Sequence, residues 1–284
     1  MKFILRGLDN NYSSWRLIQE AVMLADELDY WGVALPDHYM YQYNENYSAY
    51  STLDSWTILS FLASRTSRLK FGTLVTPIPF RPPGQLAKIV TTLDVISSGR
   101  SFLGIGAGWS QMEFDAYSEW SDARTRVDKT EEGVQLILKL WQESKVDFNG
   151  KYYRAKNAIL EPKPIQKPHP PLVFGGFSER MIRMAGKYAD ICYVPPWAKL
   201  SLEKAKTILT KEAQDSGRPT PALAAGAASF EGGKFDMNLV RRDVEIAQDI
   251  GCEYYVTPWF PRENYLETVK QFSREFMASF ALVS

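Results

Sequence analysis

One pattern limits what this chain can fold into: short apolar runs alternate with stretches of helical period along its whole length. "KFILRG" reads as a strand. "SWRLIQEAVMLADELDYWG" reads as a helix, with Ser14 as its cap and Gly32 at its end. "VALPDHY" is a strand running into a loop, "TLDSWTILSFLASRTSRL" a helix and "KFGTLVTP" a strand. In "LAKIVTTLDVISSGR", Leu86, Ile89, Val90, Leu93 and Ile96 recur at helical spacing. Gly99 stops that helix as a left-handed cap. A fourth strand covers Ser101 to Gly106, and "RVDKTEEGVQLILKLWQES" is the next helix. Strands "PLVFGG", "DICYVPPW", "PALAAGAASF" and "CEYYVTPW" follow, each with a helix behind it: "SERMIRMAGKYA", "SLEKAKTILTKEAQDSG", "NLVRRDVEIAQDIG" and "NYLETVKQFSREFMASF".

Repeated strand–helix units imply a parallel sheet. Eight of them in 284 residues match an α/β fold of one kind, a closed (β/α)8 TIM barrel. An open doubly wound sheet is the alternative. The expected organisation is a single domain over residues 1–284, interrupted at about 146–171 between the fourth helix and the fifth strand. That insertion begins as a hairpin with Asn149-Gly150 as its turn and ends proline-rich and extended. It reads as a segment crossing the barrel rim.

"SSGRSFLGIGAGW" raises the question of a nucleotide-binding loop. A dinucleotide fingerprint needs a third glycine three residues after the second. Trp109 stands there, and a helix rather than a strand precedes the stretch. The glycines therefore lie in a strand and at its exit, where they clear space for another backbone or a flat ligand.

Charge excludes one class of partner. Lys+Arg and Asp+Glu are both 33, which leaves no global field for nucleic acid. Cys192 and Cys252 sit in apolar strand-like runs and read as buried free thiols, without zinc spacing. No apolar run reaches membrane-span length, and "MKFIL" goes straight into a strand, with no visible signal peptide. The expectation is a soluble cytoplasmic protein that binds neither nucleic acid nor membrane.

In such barrels chemistry sits at the C-terminal ends of the strands. Strand two ends in Asp37-His38, strand three in Leu74-Val75-Thr76-Pro77 and strand four in Gly106-Ala107-Gly108-Trp109, with Glu113 about one helical turn on. His38 is a candidate proton donor or acceptor; the plain alternative is a histidine whose tautomer Asp37 fixes. His169, in "KPHPP", reads as a packing residue. Gly175-Gly176-Phe177-Ser178 opens a helix, and bare N–H groups at a helix N-terminus form an anion site, with Arg180 close enough to help. The alternative is a tight turn with Ser178 as an ordinary cap. Trp197 and Trp259 end strands six and eight, where they wall a slot for a flat ring or plug the barrel. "YMYQYNENYSAY" lines an entrance or packs over the rim. No metal cluster, triad or Walker loop is visible. A phosphate-anchored flat cofactor with few acid–base groups suits redox chemistry done by the cofactor.

The segment "LVTPIPFRPPGQLAKIVTTLDVISSGRSFLGIGAGWSQMEF" resembles the bacterial-luciferase-like family, the luciferase-like monooxygenase superfamily, and within it the branch that uses the deazaflavin coenzyme F420. "ALPDHY", "DFNGKYYRAKNAILEPKPIQKPHPPLVFGG" and "KYADICYV" extend the resemblance over roughly residues 1 to 200; the last third agrees in element order only. It implies an oxidoreductase moving a hydride between the deazaflavin and a small organic substrate. An FMN-dependent monooxygenase and a cofactor-free binding barrel are the alternatives; intact glycines at both cofactor loops speak against the last. A non-prolyl cis peptide at the end of strand three, here Leu74–Val75 or the next bond, would back the central ring. Gly106, Ala107 and Gly108 would let the cofactor's side chain pass, Gly175 and Gly176 would hold its phosphate, and Asp37 and His38 would sit near the reactive edge. Some deazaflavin-dependent sugar-phosphate dehydrogenases of the family carry a glutamate right after the strand-four glycine. Here Trp109 takes that place, and Glu113 substitutes for it only if the loop folds inward. Relatives pair through early helices, so a homodimer is expected, with Trp56, Leu59, Phe61 and Leu62 as its apolar surface.

Overall fold

The structure, a computed structural model, describes residues 1–8, 14–40, 53–175, 178–226, 230–231 and 234–277. Barrel strands are β1 (Lys2–Leu5), β2 (Gly32–Leu35), β3 (Lys70–Thr73), β4 (Leu103–Gly106), β5 (Leu172–Gly175), β6 (Ile191–Val194), β7 (Ala222–Gly226) and β8 (Tyr254–Val256). They alternate with helices α1 (Trp15–Glu27), α2 (Ser55–Ala63), α3 (Pro83–Ile96), α4 (Gln111–Tyr117), α5 (Ala123–Gln142), α6 (Glu179–Tyr188), α7 (Leu202–Asp215), α8 (Met237–Ile250) and α9 (Tyr265–Phe272). All strand pairs of the main sheet are parallel, with Ile4 opposite Val256 and Leu5 opposite Val33. Closure falls between β3 and β4. Phe71 bridges Ser101, and Thr76–Pro77, which continues β3 beyond a kink, pairs with Ile105–Gly106. The result is the TIM barrel read from the alternation.

Strand residues point alternately inward and outward. Ile4, Ala34, Phe102, Val173, Ile191, Tyr193, Ala224, Tyr254 and Val256 fill the lumen. Phe3, Leu5, Val33, Phe71, Ile105, Phe174, Cys192 and Tyr255 face the helices. Cys192 and Cys252 are buried thiols; burial pushes them up to about 12 and about 11. No helix among the described residues is long and apolar enough to cross a membrane.

Ser14 caps α1 as the sequence implies, accepting the Leu17 N–H at 3.2 Å. The helix, however, stops at Glu27. Gly32 belongs to β2, where a Cβ would lie 2.8 Å from the Lys70 carbonyl oxygen of β3, so this glycine serves strand pairing rather than helix termination. Gly99 does sit at positive φ, 81°. The insertion holds a hairpin, Val146–Asn149 with Arg154–Ala158. Glu132 of α5 accepts N–H groups from Lys151, Tyr152 and Tyr153 at 2.9, 2.7 and 2.6 Å. The extended part then docks on Asp94 near the end of α3, which accepts from the N–H groups of Ile165 and Gln166. This segment therefore crosses at the N-terminal ends of the strands, away from the mouth.

Candidate active site

The mouth is built around the kink in β3. The Leu74–Val75 peptide is cis, within the stretch where the family resemblance implies such a bond. Thr73 and Thr76 on either side are wholly buried, while Leu74 and Val75 stay half-exposed. A Cβ on Gly106 would come within 2.4 Å of a Val75 methyl, and one on Gly175 within 3.0 Å of the other. These two glycines thus seat Val75. Gly104 serves the neighbouring backbone: a Cβ there would meet the Thr73 carbonyl oxygen at 1.8 Å. Packing against the β3 segment accounts for these glycines, and the half-exposed Ala107 and Gly108 remain at the mouth.

Gly108 has φ +82°, and a Cβ on it would strike the Phe114 ring at 2.6 Å. That turn lets α4 fold back over the mouth, anchored by Phe114 on Phe80 at 5.1 Å between ring centroids. The loop therefore folds inward, and Glu113, only 2% exposed, faces His38. Glu113 Oε2 lies 2.7 Å from His38 Nδ1, and Oε1 accepts the Tyr39 N–H at 2.5 Å and the Met40 N–H at 3.4 Å. With the carboxylate ionised, Nδ1 carries a proton, and Nε2 is the atom able to take or give one. Trp109 is 61% exposed and meets the His38 ring edge-on at 5.6 Å.

Asp37 occupies a different place from the one expected of it. It does not touch His38. It is buried and accepts from Arg81 Nη1 and Nη2 at 2.7 and 2.9 Å, from Thr76 Oγ1 at 2.6 Å and from Trp56 Nε1 at 3.0 Å. Successive residues at a strand end point to opposite sides; Asp37 therefore turns to the β3 kink and α2 while His38 turns to the mouth. Burial works against the Arg81 charge, but Asp37 outweighs it and holds the guanidinium above its ordinary value. The sequence reading missed Arg81, although "FRPPGQLAK" contains it.

Of the expected phosphate loop, Gly176 and Phe177 lie outside the described residues. Ser178 caps α6, accepting the Met181 N–H at 3.4 Å. Arg180 is engaged by Asp128 and by the Arg124 carbonyl oxygen, so its charge is directed to α5. Tyr41 to Tyr50 of the tyrosine-rich loop also fall outside the described residues. Trp197 and Trp259 stack at 5.4 Å and 18°, over Arg6 of the residues just past β1. His169 stacks on Trp141 at 6.2 Å, far from this mouth along the chain's insertion. Among the described residues no His, Cys, Asp and Glu cluster fits a metal ion.

Comparison with known proteins agrees with this architecture. A sequence profile described as luciferase-like monooxygenase matches residues 3–230. An FMNH(2)-dependent dimethylsulfone monooxygenase of Pseudomonas putida is 31% identical over 150 residues, 52% of this chain and 41% of the relative. An F420-dependent glucose-6-phosphate dehydrogenase of Microbacterium testaceum (strain StLB037) is 33% identical over 169 residues, 59% of this chain and 49% of the relative. The matched segment thus spans less than half the length of each of these relatives. Among solved structures, an F420-dependent secondary alcohol dehydrogenase in complex with an F420-acetone adduct superposes with TM-score 0.81 at 18% identity, covering 98% of both chains. A monooxygenase, RslO1, from Streptomyces bottropensis gives 0.79 at 21% identity, covering 99% of this chain and 100% of that one. At such identities the superpositions speak for the fold.

Proposed function

We propose that this chain, which belongs to the luciferase-like monooxygenase family, is an oxidoreductase that moves a hydride between the deazaflavin coenzyme F420 and a small organic substrate. One observation carries the reading. Leu74 and Val75 form a half-exposed apolar floor between two buried threonines, seated by Gly106 and Gly175. A flat ring needs such a floor with bare backbone beside it. Leu74 and Val75 would back the ring, with Gly106, Ala107, Gly108 and Trp109 along its side chain. Gly175, Ser178 and the first turn of α6, with Gly176 and Phe177 between them, would take its phosphate.

When bound, the deazaflavin supplies a two-electron carrier. The residues of the chain manage the proton. Glu113 holds the His38 Nδ1–H and so fixes the ring's tautomer and direction. His38 Nε2 then exchanges a proton with a substrate hydroxyl or carbonyl oxygen. Asp37 stands behind the floor as a positioning residue, through Arg81 and Thr76.

The second reading, an FMN-dependent monooxygenase, draws on the Pseudomonas putida relative. Titration of the purified chain with each cofactor, followed by ring absorbance and fluorescence, separates the two. Coenzyme F420 is expected to bind at least tenfold more tightly than FMN; tighter binding of FMN would overturn the preference, and binding of neither would overturn both.

A homodimer and a cytoplasmic location belong to the same proposal. Trp56, Leu59 and Leu62 are buried in the chain's own core, so they do not form the pairing surface expected of them. Phe61 does stay 46% exposed, in edge contact with Trp15 at 5.5 Å, and Leu53 is 44% exposed. This apolar patch on α1 and α2 supports pairing through the early helices. Sedimentation should give twice the chain mass at micromolar concentration, and Phe61→Glu should return it to one. Two cysteines kept as buried thiols suit a reducing compartment.

A further inference from the structure

Two arginines of the described residues are buried, and both sit at the mouth: Arg6 and Arg81, each 8% exposed. Arg81 is paired twice with the Asp37 carboxylate. Arg6 has no carboxylate partner among the described residues. Its Nε donates to the Thr257 carbonyl oxygen at 2.8 Å and its Nη1 to the Tyr193 hydroxyl at 3.1 Å. Its Nη2 is buried without a hydrogen-bond partner. The guanidinium lies 4.0 Å from the Trp259 ring centroid and 5.1 Å from that of Trp197. The bond to Tyr193 spans the lumen, from β1 to β6, so the charge stands inside the barrel at the strand ends. Ring faces attract a cation, but they give Nη2 no acceptor, and a buried charge without a counter-ion is unfavourable.

We propose that Arg6 is the anion subsite of the substrate pocket and takes an organic carboxylate. The claim rests on the proposed oxidoreductase reading for its substrate and names that substrate's class: a carboxylic acid with a flat or apolar body. A carboxylate matches the guanidinium fork, with Nη2 as the donor in waiting. The Trp197–Trp259 stack supplies the apolar wall. Trp197, on the loop after β6, is 47% exposed, so its side of that wall meets solvent. Among the described residues the other buried cation at the mouth, Arg81, already has its acid in Asp37.

The test uses the full chain as purified, with hexanoate, hexanamide and inorganic phosphate as probes, read by tryptophan fluorescence and by the thermal midpoint. Hexanoate is expected to bind saturably and to raise the midpoint, at least tenfold more tightly than hexanamide. Arg6→Met should lose that preference while binding coenzyme F420 as the parent does. Arg6→Lys should keep it at reduced affinity, and decides the matter if Arg6→Met does not fold. Equal binding of acid and amide, an undiminished preference in Arg6→Met, or loss of all preference in Arg6→Lys would overturn the subsite. Phosphate binding more tightly than hexanoate would also overturn it. Hexanoate binding without coenzyme F420 binding would sink the cofactor reading alone, and the reverse would sink the subsite alone.

Discussion

Asp37→Asn is expected to lower the stability of the protein by about 3–5 kcal/mol, the usual effect of removing one partner from a buried ion pair. The shape of the side chain is kept, but Arg81 loses the carboxylate that offsets its burial. Its two donors at 2.7 and 2.9 Å would face an amide that can accept through one atom only. At roughly 2–4 °C per kcal/mol for a chain of this size class, the thermal midpoint should fall by about 10 °C. The double variant Asp37→Asn with Arg81→Met removes both charges and should regain at least half of the loss, because no uncompensated cation remains. Urea unfolding of the parent, the two single variants and the double variant measures this coupling. A loss below about 1 kcal/mol, in the range of an exposed pair, would show that the mouth does not depend on the pair. The effect should reach the site as well. Asp37 also holds Thr76, the residue next to Val75, so the floor loosens and coenzyme F420 binds more weakly.

The fate of Asp37 shows where sequence reading stops. Helical spacing and apolar runs are local properties, and they were enough for the barrel, its strand order and the strand ends that form the mouth. Partner choice is not local. Asp37 and His38 are adjacent in sequence, which suggests a pair, yet strand alternation sends them to opposite sides. The parity of β1 carried a similar signal for Arg6: it lies two residues beyond Ile4, on the lumen face. A charge on that face is unusual and could have been singled out. Glycine ends helices, so Gly32 reads as a helix end, whereas its reason is the Lys70 carbonyl of a neighbouring strand, which no window of sequence contains. Glu113 was legible only conditionally. Its inward turn depends on the left-handed φ of Gly108 and on Phe114 finding Phe80, and α4 is too short for its period to mark a separate helix.

That inward turn sets up the other large effect. Glu113→Gln is expected to reduce turnover with coenzyme F420 by about 10²–10⁴-fold, the scale of a misdirected acid–base group, with little change in cofactor affinity. The glutamine oxygen can still accept the Tyr39 N–H, so the fold of α4 should persist. The amide nitrogen then faces His38 Nδ1 and can only donate to it. Nδ1 is forced to accept, the proton moves to Nε2, and the atom meant to take a proton from a substrate hydroxyl already carries one. This differs from a structural loss, which would release the loop without selecting a tautomer. Nitrogen NMR of the imidazole rings separates the two cases. The chain has two histidines, so a His169→Gln background leaves His38 alone in the spectrum. In that background the parent should show a protonated Nδ1 and the Glu113→Gln variant a protonated Nε2. Glu113→Asp keeps the acceptor but shortens its reach, and should restore the parent tautomer with intermediate activity. Retained turnover in Glu113→Gln alongside a switched tautomer would remove His38 from proton transfer. An unswitched tautomer would mean that another group directs the ring.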